Sequence, residues 1–454
     1  MSKFVKLRKG FDINLTGKAE KNVSDAPHPE TFAIKPTDFQ NITRPKVLVQ
    51  EGDNVKAGTP LFYDKVLDEV QYCAPFSGEV VEVKRGEKRK LLEIRILADK
   101  SADYESFKQY TVSDLEKASR EELTEQLTKS GVWPNIIQRP YGIVANPKDT
   151  PKAIFISAFD SAPLAPDYDV LLKGEEANLQ AGITALNKFT SGVIHLNING
   201  AAEVSQVFGQ LKGVQVNKVT GPHPAGNVGV QIHHIDPIAK GEIVWTLTPD
   251  ALAQIGRLML QGKYDARKVV ALVGSEVKAP QYYKTYVGAS IKGLVADKLN
   301  STHVRYISGN VLTGEAVAAD GYLSYYHSQL TVIPEGDQYE FLGWLKPTGK
   351  KPSFSRALGL LSFLNPKKEF AVNTNTNGEE RAFVATGVFE RVVPMDIYPT
   401  HLLKAILAED YDEMEALGIF EVVEEDFALC EFVDVSKHNV QEIVRQGLDL
   451  IQNS

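Results

Sequence analysis

The side chains with the most chemical scope are His223, His233 and His234, within GPHPAGNVGVQIHHIDP at residues 221–237. Imidazoles titrate near neutral pH, bind metals and donate hydrogen bonds. Asp236, close to the histidine pair, raises the question of a metal. Read as a strand, adjacent residues point to opposite faces, so His233 and His234 cannot chelate one ion. The surrounding glycines and prolines read as an ordered connecting loop, or as a contact surface built on one. The opening GPHPAG partly matches a phosphate loop, but Asn227 follows where a lysine would have to balance phosphate charge.

Other chemistry is missing from the pattern. There is no GxGxxG, HExxH or GxSxG. Cys73 and Cys430 stand alone, too few for a four-thiolate cluster and without the spacing of a disulfide framework. Lys84, Arg85, Lys88, Arg89 and Lys90 make a basic hairpin, either a solvated tip or a docking point for anionic lipid or a partner.

The elements that position these residues follow from periodicity. Residues 44–98 alternate in short runs (46–49, 60–63, 78–83 and 91–97) between Gly- and Asp-containing turns, which predicts a small β-sandwich. It resembles biotinyl/lipoyl carrier domains. Lys65 falls in the hairpin FYDKVLDEVQYC without the flanking residues of an attachment site, so a structural scaffold is expected rather than a covalent carrier. An apolar stripe over 111–128 predicts a helix with Ser113 as cap, stopped by Gly131. Residues 152–219 read as β-α-β-α-β, with strands at 153–158, 192–198 and 214–219 and helices at 175–189 and 202–211, which implies a parallel layer. Thr248 and Pro249 open another helix that Gly262 ends. Residues 268–333 return to β patterning, a compact β-grasp-like unit. Asn377-Gly378 is a hairpin signal, and the tail is helical at 402–407, 411–417 and 440–451.

Composition bounds the rest. The chain has 454 residues, 43% hydrophobic and 24% charged, with net charge −8. This length suits several domains, and the negative balance argues against nucleic acid as the main partner. The N-terminus lacks the apolar core of a signal peptide. The longest apolar run, at 357–361 with Phe363 and Leu364 beyond, is too short to span a bilayer.

Taken together, five segments resemble one family along nearly the whole chain. They are KGFDINLTG (9–17), EGDNVKAGTPLF (51–62), APFSGEVVEVKRGEKR (74–89), GPHPAGNVGVQIHHIDP (221–237) and VGSEVKAPQYYKTYVGASIKGLV (273–295). The family is the A subunit of the Na+-translocating NADH:quinone reductases, related to the C subunit of Rnf complexes and the flavin subunit of complex I. The resemblance implies an α/β multidomain fold. Its parts are an N-terminal β region with a lipoyl-carrier-like sandwich (1–100), a Rossmann-like α/β domain (101–262), a β-grasp, SLBB-like unit (263–340) and a C-terminal hairpin and helical domain like a degenerate ferredoxin module (341–454). The relatives carry FMN on a glycine-rich loop. Here that place reads SGVWPNIIQRPYGIVANP (130–147), with Trp133, Ile136 and Ile137 at its centre. Bulky side chains block the close backbone approach a phosphate needs. Of the cluster cysteines only Cys430 remains, with Val393 and Asp434 or Val435 at ligand places.

The resemblance therefore implies a chain without flavin or iron–sulfur of its own. NADH, FAD, FMN and iron–sulfur chemistry would sit on sibling subunits, with quinone as the substrate of the complex. It further implies a peripheral subunit on the cytoplasmic face of the bacterial inner membrane, at the quinone-reducing end. Its partners would be five sibling subunits, chiefly the membrane-embedded B subunit. Quinone-proximal candidates are Trp133, Ile136, Ile137, Tyr141, His223, His233 and His234, which could supply an apolar wall and polar groups. Rival expectations are a soluble flavin-dependent NADH dehydrogenase and a pure assembly scaffold.

Overall fold

The computed structural model describes residues 2–203, 205–338, 352, 354 and 367–453. The apolar run at 357–361 with Phe363 and Leu364 lies outside them. Residues 31–98 form the expected sandwich. One layer carries Thr31–Ile34, Leu91–Ala98, Gly78–Arg85 and Asn54–Val55; the other carries Pro45–Val47, Pro60–Asp64 and Leu67–Cys73. Alternation sends Leu61, Val70, Val80, Ile94 and Ile96 inward, and Phe62 stacks on Tyr72 at 4.7 Å. Lys65 is exposed in the turn joining Pro60–Asp64 to Leu67–Cys73.

The α/β layer is a seven-stranded sheet ordered Phe4–Lys6, Gln215–Thr220, Val193–Asn199, Ala153–Ser157, Val244–Leu247, Ile137–Arg139, Ile143–Val144. The first five strands are parallel, Ile137–Arg139 runs antiparallel to them, and Ile143–Val144 pairs antiparallel with it in turn. Helices Glu176–Leu186 and Pro249–Gln261 pack together through glycine. A Cβ on Gly256 would lie 1.8 Å from the Asn178 carbonyl oxygen, and one on Gly182 would lie 2.5 Å from that of Leu252. No side chain fits between such close backbones. Gly262, at φ +64°, ends the second helix in the left-handed conformation.

A six-stranded sheet, Glu315–Val317, Val304–Ser308, Gln329–Pro334, Arg267–Val273, Gln281–Tyr286 and Glu20–Asp25, makes the β-grasp-like unit. Two strands from the first 25 residues thus leave the N-terminal unit: Phe4–Lys6 edges the α/β sheet and Glu20–Asp25 edges this one. Helices Phe389–Val392, Pro399–Leu407, Tyr411–Ala416, Glu424–Val433 and Val440–Asn453 close the chain. Their core holds Leu402, Ile406, Phe427, Cys430, Val444 and Leu448.

Several local expectations are corrected. The helix expected over 111–128 is two, Val112–Lys117 and Arg120–Lys129. Thr111 caps the first, not Ser113. Ser119 and Glu122 form a capping box that starts the second, a signal buried inside the apolar pattern. No described position of 202–211 is helical, and turns run over 206–210. There Ser205 bonds Asp169 and accepts the Phe208 N–H (3.1 Å), local bonds that compete with a helix. Asn377 takes φ +52°, yet no strand flanks it among the described residues; instead the Arg381 N–H reaches the Ser436 carbonyl (3.0 Å). Thr248 holds the cap position of its helix, though its hydroxyl makes no capping bond.

Candidate functional site

The histidine segment begins at the carboxyl edge of the parallel strands, where α/β folds place their sites. Strand Gln215–Thr220 ends and the GPHPAG turn carries His223 back over the sheet. Residues 9–17 clamp it. Asp12 Oδ1 accepts the His223 N–H (2.8 Å), the His223 carbonyl accepts the Phe11 N–H (2.8 Å), and a Cβ on Gly10 would stand 2.2 Å from that carbonyl oxygen. The imidazole is 4% exposed, and its Nδ1 lies 3.0 Å from Ser161 Oγ. Ser161 Oγ already accepts the Gly226 N–H (2.8 Å), so its own proton is available to Nδ1. The ring proton then belongs on Nε2, which has no partner among the described residues. Burial pushes this imidazole down to about 4.

His233 and His234 sit neither in a loop nor on a strand. They close the helix Val228–Ile235, where Val228, Ile232 and Ile235 form one stripe at i, i+4, i+7. Ile232 and Ile235 pack on Ala153, Phe155 and Val244 of the sheet. Apart from Gly229, which lies inside the helix, the glycines and prolines that suggested a loop belong to the turn before it and the segment after it. The two rings cross at 89° with centroids 5.1 Å apart. His233 Nδ1 meets Glu421 Oε2 at 2.6 Å while its Nε2 accepts the Asp396 N–H at 2.9 Å. His234 Nε2 donates to the Pro394 carbonyl at 2.7 Å, and burial lowers its pKa. Both rings are spoken for by the C-terminal helical unit. Among the described residues no cluster of His, Cys, Asp or Glu is placed to hold a metal.

The segment 133–141 divides in two. Trp133 is fully buried, donates from Nε1 to the Ala145 carbonyl (2.7 Å) and meets Phe189 and Trp245 edge-to-face, with ring centroids 5.6 Å away in each case. Ile136 is also fully buried. Trp133 and Ile136, two of the quinone-proximal candidates, are thus core residues, each in an apolar socket behind the sheet. Ile137 and Tyr141 are partly exposed. Tyr141 takes φ +83°, and its ring meets Phe420 edge-on at 6.4 Å. Between them, buried Arg139 pairs with Asp426 (2.9 Å) and Glu425 (2.5 Å) of helix Glu424–Val433. Gly229 clears the way, since a Cβ there would lie 2.3 Å from Asp426 Oδ2. Arg445 donates to the Tyr141 carbonyl (2.8 Å) and pairs with Glu424. Desolvation, with Asp426, Asp160 and Glu424 nearby, pushes Glu425 up to about 7 against the pull of Arg139.

Both candidate segments thus meet under one lid of C-terminal helices. A cleft of about 390 Å³ opens at this joint, lined by Ile238, Lys240, Glu415, Phe420 and Glu421, beside His233 and Tyr141. The larger groove, about 1620 Å³, lies between the α/β layer and the β-grasp sheet and meets the segment only at Asn135. Charged side chains line both openings, Lys21, Asp167, Glu175 and Arg257 in the groove and Lys240, Asp412, Glu415 and Glu421 in the cleft, where Ile238 and Phe420 supply the apolar wall. The Ser161–His223 contact is no hydrolytic triad, because no carboxylate among the described residues orients the second ring nitrogen. Ser161, Arg139, Glu421, Asp426 and Arg445 were not foreseen. Only the acidic run Glu424-Glu425-Asp426 was visible as a hint.

Three family models match: the "NqrA N-terminal barrel-sandwich hybrid domain" over residues 5–99, the "NqrA second alpha/beta domain" over 118–264 and the "NQRA C-terminal domain" over 269–319. Among curated relatives, the A subunit of the Na(+)-translocating NADH-quinone reductase of Serratia proteamaculans is 38% identical over 452 residues, 99% of each chain. The proteins of the same name from Yersinia pseudotuberculosis and Rhodopirellula baltica are each 37% identical over 450 residues, covering 99% and 98% of both chains respectively. Among solved structures, the NAD+-reducing [NiFe]-hydrogenase in the air-oxidized state aligns at a TM-score of 0.38 and 12% identity, over 78% of this chain and 67% of that one, too slight a likeness to argue from.

Proposed function

The chain belongs to the A-subunit family of the Na(+)-translocating NADH-quinone reductases, and on that premise we propose that it is the peripheral, cytoplasmic-face component at the quinone-reducing end. As a member it is one subunit of an enzyme complex that couples NADH oxidation by quinone to sodium translocation. No helix among the described residues is long and apolar enough to cross a membrane, which suits docking on a membrane-embedded partner. The partners in this reading are the five siblings, chiefly the B subunit.

The observation that carries the quinone reading is the buried His223 ring, whose Nε2 proton lacks an acceptor among the described residues. An unmet buried donor costs roughly 1–3 kcal/mol, and a quinone carbonyl would meet it. Tyr141 and His233 touch Phe420 and Glu421 of the cleft, while Trp133 and Ile136 hold the segment from behind. Burial of those last two favours the scaffold reading for them alone.

A further part of the proposal is that flavin and clusters belong to the siblings. At the ancestral flavin loop, Trp133 fills the interior and a Cβ on Gly131 would lie 2.7 Å from the Cβ of Cys73, so that glycine serves packing rather than a phosphate cradle. Likewise Cys430 is buried among apolar helices and Asp434 bonds His438 (2.8 Å). These features support a ferredoxin-like module held by packing.

The test is photo-crosslinking of the assembled complex with a quinone analogue. Label should fall within 137–141, 221–237 or the cleft. Label confined to other subunits, with His223→Ala leaving quinone affinity and turnover unchanged, would leave only the scaffold role. Tightly bound flavin or iron on the isolated chain would overturn the assignment of cofactors to siblings.

A further inference from the structure

The basic hairpin plays no part in the joint under the C-terminal helices. Strands Gly78–Arg85 and Leu91–Ala98 meet in a tight turn in which Lys88 and Arg89 take φ +51° and +61°. The stem acids nearest the tip are already engaged. Glu93 pairs with Lys84 (3.0 Å) and Arg95 (2.6 Å), and Glu82 pairs with Arg95 (2.8 Å). Lys88, Arg89 and Lys90 are exposed and have no acidic partner among the described residues. Within 84–90 there are five basic side chains and one acidic, Glu87, a net +4 in a chain of net −8. The net negative balance of the chain as a whole works against an anionic leaflet, while this tip is drawn to it.

We propose that the tip at residues 84–90 is a docking surface for anionic phospholipid headgroups. Its shape selects this occupant. It is a tight turn, and the large exposed apolar residues of its two strands, Val81 and Leu97, lie back along the stem rather than at the tip. Protein interfaces need a packed apolar centre. A diffuse negative field needs only unneutralised charge. Membership of a membrane-bound complex says where such a leaflet would be met, but binding to vesicles requires none of the siblings.

Full-length chain is co-sedimented with vesicles of phosphatidylcholine alone and of phosphatidylcholine with phosphatidylglycerol at low salt. Binding should require the anionic lipid and weaken as salt rises. Each neutralised cation at the tip should cost about fivefold in partitioning, so Lys88→Gln/Arg89→Gln/Lys90→Gln should lose roughly 100-fold. Lys117→Gln/Lys212→Gln/Lys278→Gln makes the same change in net charge elsewhere and should bind as the unaltered chain does. No binding to anionic vesicles, or equal loss in both triple variants, overturns the proposal. So does unchanged vesicle binding by the tip variant together with failure to co-purify with its siblings, which would assign the tip to an acidic protein. Failure of the vesicle test would leave the quinone reading standing, since that rests on crosslinks at the other joint.

Discussion

Arg139 on the antiparallel margin of the α/β sheet and Asp426 on a C-terminal helix sit 2.9 Å apart across 287 positions of sequence, both almost wholly buried. Pairs of this kind add little net stability over apolar substitutes, but removing one partner strands a charge. Arg139→Met should therefore cost about 3–5 kcal/mol in urea unfolding. Arg139→Met/Asp426→Asn should recover part of that loss. A double variant as unstable as the sum of both single ones would mean that the two side chains do not act as a pair.

The glycine seam between helices Glu176–Leu186 and Pro249–Gln261 offers a steric test. Gly256→Ala puts a methyl 1.8 Å from the Asn178 carbonyl oxygen, so the helices must separate. A loss of about 1–3 kcal/mol is expected. Gly293→Ala is the comparison, since its nearest neighbour would be 3.6 Å away. It should be neutral or slightly stabilising. Equal melting temperatures for the two alanine variants would refute the close crossing.

Two buried imidazoles set an acid limit. His195, stacked on Phe155 at 4.4 Å, and His223 are both pushed by burial to about 4. Unfolded, each takes up a proton below about 6.5. The unfolded state thus binds more protons between these values, and stability must fall as pH drops from about 6.5 toward 4. At pH 5 each should have cost about 2 kcal/mol relative to pH 7.5. Unfolding free energies at those two pH values provide the check, with His195→Gln flattening the difference by about that amount. An undiminished slope in the variant would remove His195 as a cause.

Trp133 anchors the segment that carries Ile137, Arg139 and Tyr141. Trp133→Ala should cost about 3–5 kcal/mol through the cavity it leaves. Trp133→Phe, which keeps the apolar contacts but abandons the Ala145 carbonyl, should cost less. If thermal melts show Trp133→Ala no worse than a surface substitution, the socket is not packed as described.

Legibility followed the range of the interactions. The sandwich could be read from residues 44–98 because its turns are written in adjacent glycines and aspartates. The helix carrying His233 and His234 could not, because the punctuation of the preceding turn masked a stripe of only three apolar residues. Ser119 was overlooked because its capping signal lies inside a continuous apolar pattern. Arg139, Glu421 and Asp426 carry no local signature at all. Their roles exist only once the C-terminal helices fold back on the sheet. The candidate segments were visible from sequence, whereas their common lid was not.

The strand Phe4–Lys6 pairs in parallel with Lys218 and its neighbours. During synthesis at about 5–20 residues per second, this first strand emerges roughly 10–40 s before its partner exists. Throughout that interval its edge is open to any other nascent chain. Lys6 lies in it and Lys3, Arg8 and Lys9 flank it, and such cations discourage edge-to-edge aggregation. Charge at this end of the polypeptide thus acts as a guard during translation, and replacing it would be felt in soluble yield before it was felt in the finished molecule.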